Sequence, residues 1–197
     1  SIDFKLNKKN TIVTFHPVTL ENSTVSVQFQ NLLDAIDELE DTNIIFTKAN
    51  SDTDGRVVNG MIDDYVRVNG DKSIAFTSLG QLRYLSALQY VDVMVGNSSS
   101  GLIEAPSFKI GTLNIGDRQK GRIMADSVIN TKPDKQSIRN AFEKMYSQEF
   151  IKTLQEVDNP YGNGGASKKI KNIIKNAKLE NILKKTFYNI KVENDWL

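Results

Sequence analysis

Strand-length apolar runs and stretches of helical period take turns along this chain, and that alternation restricts its architecture more than any single motif. The runs are 11–16 (TIVTFH), 43–48 (NIIFTK), 73–77 (SIAFT), 92–95 (DVMV) and 112–115 (TLNI), with a weaker sixth at 127–129. Most are continuously apolar, as strands covered on both faces are, and so predict a parallel sheet. Between the first two, Phe29, Leu32, Leu33, Ile36 and Leu39 fall at helical spacing, with Asp34, Asp37, Glu38 and Glu40 turned the other way. Val57, Val58, Met61, Ile62 and Tyr65 repeat the pattern, and Leu82, Leu85 and Leu88 give a shorter version. Helices in the strand-to-strand connections make right-handed crossovers, so the expected fold class is α/β, a doubly wound parallel sheet.

Beyond residue 131 the strand pattern stops. Helices are expected at 136–146, 148–154 and 167–185, with a Pro- and Gly-rich loop at 158–166. The expected division is a Rossmann-like domain over 1–165 and a C-terminal helix and tail over 166–197. Residues 168–191 hold eight Lys and one Glu and so carry +7, leaving −6 on the rest of the chain. Two readings stay open for this segment: a solvated helix face, or a helix docked on a partner domain through Ile170, Ile173, Ile174 and Ala177.

Composition narrows the chemistry. Hydrophobic residues at 39% and charged residues at 25% exclude a disordered chain. A net charge of +1 gives no global field for nucleic acid or an anionic membrane, so neither partner is expected and any anion must be held locally. With no Cys and a single His, disulfides, thiol catalysis and a histidine zinc cluster fall away; neither metal nor cofactor is expected. No run approaches the ~18 apolar residues of a membrane span, and the opening residues do not read as a signal peptide. A cytoplasmic location is the expectation, and Ser1 in place of Met suggests that an upstream portion has been removed.

Ligands of open parallel sheets sit beyond the carboxyl ends of the strands, so strand-end residues are the candidates. His16 closes the first strand and precedes Pro17; it is either a structural hydrogen-bond partner or a group that donates to, or carries a proton near, a phosphate. Gly96-Asn97-Ser98-Ser99-Ser100-Gly101 follows the fourth strand, where a helix start offers unpaired N–H groups and partial positive charge to an anion. A plain Ser N-cap explains the serines, but not Glu104, placed about one and a half turns into the helix, where a carboxylate accepts from vicinal ribose hydroxyls. Arg118, Lys120 and Arg122 form a flexible cationic loop around Gly116 and Gly121, suited to closing over an anion. Asn50, after the second strand, is a polar candidate or an Asx turn, and the backbone around Leu79, after the third, could read a base edge. No P-loop, GxGxxG or GxSxG motif occurs.

Together, Thr14-Phe15-His16-Pro17-Val18-Thr19, Gly96 to Gly101 with Glu104-Ala105, and Asn114-Ile115-Gly116-Asp117-Arg118-Gln119-Lys120-Gly121-Arg122 resemble the C-terminal domain of the UDP-N-acetylglucosamine 2-epimerase family, especially its hydrolysing branch. The similarity runs from about Thr11 to Ile174, and its order and spacing carry it. It implies the Rossmann-like C-terminal half of a GT-B fold, with the sugar nucleotide in the interdomain cleft. It further implies that His16 contacts the diphosphate region and is the one possible catalytic group here. Asn50 lines the nucleotide pocket, Leu79 meets uracil, Ser98 and Ser99 bind phosphate, Glu104 holds the ribose and Arg118 belongs to the covering loop. UDP leaves by elimination to a glycal, water adds, and N-acetylmannosamine is released; the main catalytic carboxylates belong to an N-terminal domain absent from this sequence, so the half alone is expected to be inactive. A homo-oligomer is expected of the full-length protein. UDP-diacetylbacillosamine is an alternative substrate, and the donor half of a GT-B glycosyltransferase or a sugar-nucleotide sensor are alternative functions. Gly111 stands where the family commonly has Pro, which should loosen the entry to the fifth strand.

Overall fold

The computed structural model describes residues 4–18, 24–50, 53–180, 182–184 and 187. Six strands, β1 (Lys9–Thr14), β2 (Thr42–Thr47), β3 (Ser73–Phe76), β4 (Val93–Gly96), β5 (Gly111–Ile115) and β6 (Val128–Thr131), form one parallel sheet of order β3-β2-β1-β4-β5-β6. The fold class expected from the apolar runs is the one observed, and the weak sixth run is a full edge strand. His16 lies two residues beyond the end of β1, which closes at Thr14 rather than at the histidine.

Strand side chains alternate between the two faces, and both faces are covered. Val13, Ile44, Phe46, Val93, Val95 and Leu113 pack into one core with α1 (Val25–Ile36), α2 (Thr53–Val68), α5 (Lys135–Met145) and Phe150 of α6 (Gln148–Glu156). Ile12, Ile45 and Met94 point the other way, against a thinner layer formed around α3 (Gly80–Ala87), Leu88 and Ala105. Phe29, Leu32 and Phe46 are wholly enclosed, each worth about 1.5–3 kcal/mol over an exposed position. α5 and α6 begin where a side chain accepts a first-turn N–H, Asp134 from Ser137 at 2.9 Å and Ser147 from Phe150 at 3.2 Å.

Three expectations need correction. Leu82, assigned to the apolar face of α3, is 81% exposed, and Leu88 is buried but lies past the helix end, because α3 is only eight residues long. Val57 faces outward while Val58, Ile62 and Tyr65 carry the buried face of α2. Gly111 does not loosen β5: a Cβ there would collide with Met145 Sδ, so the missing side chain is replaced by a methionine packed from α5.

By its internal packing the chain falls into two units, Ser1–Gly162 and Asn163–Leu197. The second contains α7 (Ala166–Asn176), shorter than the 167–185 helix expected; its chain turns extended at Ala177, and residues 181 and 185–186 lie outside the described set. None of the residues of α7 is buried. Among the described residues, no helix is long and apolar enough to cross a membrane.

Candidate functional site

The order of the sheet reverses between β1 and β4, and open α/β sheets hold ligands beyond the strand ends at such a point. Register brings Thr14 level with Thr47 on one side and with Gly96 on the other. The hydroxyls of Thr14 and Thr47, both buried, are hydrogen-bonded to each other. Gly96 has φ +130°, and a Cβ on it would strike the Thr14 carbonyl oxygen. Only glycine lets β4 turn this close across β1.

The next residue holds three strand ends together. Asn97 is 1% exposed; its Oδ1 accepts from the His16 N–H and its Nδ2 donates to the His16 carbonyl, both at 2.7 Å. Its own carbonyl accepts from Arg118 Nη1 at 3.0 Å and from Gln119 Nε2 at 2.7 Å. The loop after β5 is therefore pinned, not free: turns from Asp117 O to Lys120 N and from Gln119 O to Arg122 N shape it further. Burial, followed by the neighbouring Arg122, pulls the Arg118 guanidinium below its ordinary pKa.

Around the switch point lies a hollow of about 380 Å³, whose walls include Thr14, Thr47, Lys48, Leu79, Tyr84, Ser98, Ser100 and Glu104. Ser98, Leu79 and Glu104 are thus brought to one cavity. Ser99 is the N-cap of α4 (Ser100–Ile103), yet its hydroxyl makes no capping bond; Ser98 Oγ accepts from Ser100 N at 3.3 Å instead. Because α4 is a single turn its macrodipole is small, and what it offers is hydroxyls and local N–H groups. Glu104 lies at the junction where α4 ends and a 3₁₀ turn (Ala105–Phe108) starts. Pro106 has no N–H to continue the α-helical ladder, so the chain tightens there.

His16, Asn50, Ser99 and Arg118 lie outside the walls of this hollow. His16 is half-buried, its backbone fixed by Asn97. Asn50 is exposed three residues beyond β2, past Ala49, whose N–H and carbonyl are both bonded by the Asn59 side chain. Arg118 reaches the site through the Asn97 carbonyl. Sequence reasoning missed Asn97, Gln119 and Tyr84. Tyr84 donates its hydroxyl to Ser100 Oγ at 2.7 Å, and burial pushes its phenol up to about 12. Among the described residues, no three His, Cys, Asp or Glu side chains group as metal ligands.

A parallel sheet of this order, with a polar hollow at its switch point, defines a Rossmann-like domain. Residues 2–175 match the family model described as UDP-N-acetylglucosamine 2-epimerase, and the chain belongs to that family. It is 39% identical over 191 residues to GDP/UDP-N,N'-diacetylbacillosamine 2-epimerase (hydrolyzing) of Campylobacter jejuni, covering 96% of this chain and 49% of the relative. It is 37% identical to polysialic acid biosynthesis protein P7 of Escherichia coli, covering 94% and 47%. The chain spans about half the length of the curated relatives it matches. Among solved structures, the UDP-GlcNAc 2-epimerase of Neisseria meningitidis bound to UDP-GlcNAc superposes with a TM-score of 0.69 at 17% identity, over 85% of this chain and 45% of that one, which establishes the shared fold.

Proposed function

We propose that this chain is the UDP-holding half of a hydrolysing UDP-N-acetylglucosamine 2-epimerase. The observation that carries the reading is the meeting of Leu79, Ser98 and Glu104 in one hollow at the switch point. In this reading the backbone at Leu79 faces uracil, the Glu104 carboxylate accepts from the ribose hydroxyls, and Ser98 and Ser99 donate to phosphate. Arg118 supplies cationic charge from the pinned loop. His16 is kept as a diphosphate-side group, because Asn97 locks its backbone directly beside Ser98; exposed Asn50 has no comparable support.

The chemistry is elimination followed by hydration. A proton leaves C2 of the sugar while the C1–O bond to UDP breaks, giving a glycal. Water then delivers OH to C1 and a proton to C2 from the opposite face, releasing N-acetylmannosamine. Among the described residues, Glu104 is the only carboxylate in the walls of the nucleotide hollow. Glu104 is assigned to the ribose, and the C2 proton to groups in the half of the relatives' length that this chain does not span, so this half alone is expected to be inactive. The name of the Campylobacter relative, which gives both GDP and UDP, is compatible with a second sugar, N,N'-diacetylbacillosamine. A cytoplasmic location belongs to the same reading.

Calorimetric titration of the chain with UDP tests the proposal. Weak, saturable binding is expected, falling about tenfold or more in Glu104→Ala, the scale of charged hydrogen bonds. No binding at millimolar UDP, or equal binding by the variant, would overturn it.

A further inference from the structure

Beside the nucleotide hollow lies a second one of about 700 Å³, beyond the ends of β5 and β6, which the function above leaves unused. Its walls carry Lys120, Arg122 and Lys132, and among the described residues Asp117 is its only carboxylate. That acid is loosely held, 3.9 Å from Lys120 with both side chains largely exposed. The two hollows adjoin through consecutive residues: Asn97 lines the second and Ser98 the first. A ligand filling both must therefore carry its linking group at the end of β4, where phosphate is assigned.

The far wall holds a pair of carboxamides. Asn114, 1% exposed, donates from Nδ2 to Asn130 Oδ1 at 2.8 Å, and its own Oδ1 is buried without a hydrogen-bond partner. Asn130 is exposed, and its Nδ2 meets only a thioether, Met124 Sδ at 3.3 Å, a weak acceptor. The pair thus offers an unused acceptor just beneath the surface and a poorly used donor above it. A group that both donates and accepts satisfies the two at once when exposed Asn130 turns aside. Hydroxyl and acetamido substituents have this property; a fully deprotonated anion, an acceptor only, lacks it.

We infer that the second hollow seats the sugar ring of the nucleotide, with Asn114 and Asn130 reading its hydroxyl and acetamido substituents. Lys120, Arg122 and Lys132 then face the sugar-side phosphate. The inference rests on the nucleotide reading above and adds residues that set sugar specificity on this half of the protein.

The test compares UDP with UDP-N-acetylglucosamine by calorimetry on the 197-residue chain. The sugar nucleotide is expected to bind about fivefold to tenfold tighter than UDP, the worth of one or two neutral hydrogen bonds. Asn114→Ala removes the buried acceptor, and Asn130→Trp fills the hollow from its exposed rim. Both variants are expected to bring the two ligands within about twofold of each other while UDP itself binds as before. If UDP binds but the wild type shows no preference, or the preference survives both variants, the inference is overturned and the nucleotide reading stands. If UDP does not bind at all, both fall together.

Discussion

Asn97 and His16, 81 positions apart, are joined by two hydrogen bonds of 2.7 Å in which one carboxamide satisfies both backbone groups of the histidine. The strand that ends at Thr14 is thereby tied to the strand that ends at Gly96, and Arg118 and Gln119 tie in the loop after β5 through the same residue's carbonyl. Asn97→Ala leaves the His16 N–H and carbonyl without these partners in a half-buried place. A loss of about 2–4 kcal/mol in urea-unfolding stability is expected, along with at least a tenfold loss of UDP affinity. Unchanged stability would show that the clamp is ornamental.

Gly96→Ala places a methyl group against the Thr14 carbonyl at φ +130°. Both the collision and the conformation oppose it, so more than about 3 kcal/mol should be lost, or the chain should fail to fold. Thermal unfolding measures this directly. Gly116→Ala is the control: φ is again positive at +73°, but nothing lies within 4 Å, and a smaller loss of about 1 kcal/mol is expected.

Tyr84→Phe removes only the hydroxyl that Ser100 Oγ accepts. With its phenol at about 12 this group is a donor throughout the working pH range, so the effect should not vary between pH 6 and pH 9. A threefold to tenfold weaker affinity for UDP is expected from the loss of one hydrogen bond that sets the first turn of α4. Titration at the two pH values checks both claims.

Asp37 lies away from the site and reports on acid stability. Burial raises its carboxyl, but the Tyr65 hydroxyl at 2.8 Å and Lys72 at 3.0 Å outweigh this and hold it below the ordinary value of 3.8. A depressed carboxyl stabilises the fold above its unfolded pKa and loses that contribution as pH falls below about 4. The carboxylate is half exposed, so screening limits the contribution to under about 1 kcal/mol. Urea midpoints of Asp37→Asn and the wild type should differ at pH 7, and the difference should shrink as pH falls below about 4.

The sheet was legible because its strands are buried on both faces. Ile12 and Val13 are both apolar since one meets α3's layer and the other α1's, and such runs need no tertiary knowledge to recognise. Leu82 misled for the opposite reason: the covering layer over α3 is thin, and a leucine at helical spacing there remains in solvent. In the site, Ser98 and Glu104 could be read from local chemistry, six residues apart. Asn97 could not, because its partners are His16 and the loop after β5, and no spacing rule joins them. Gln119 looked like one more polar loop residue between two cations, yet it is buried against the Asn97 carbonyl.

Six strands running the same way give the first unit a front and a back. Everything assigned to ligand lies at the strand ends in front, whereas the Lys8–Asp41 ion pair marks the opposite rim, where β1 and β2 begin. A label, surface linkage or sensor tether placed on that rear rim would leave the mouth facing solution. The domain could then be oriented on a chip for nucleotide capture without redesigning any residue of the mouth.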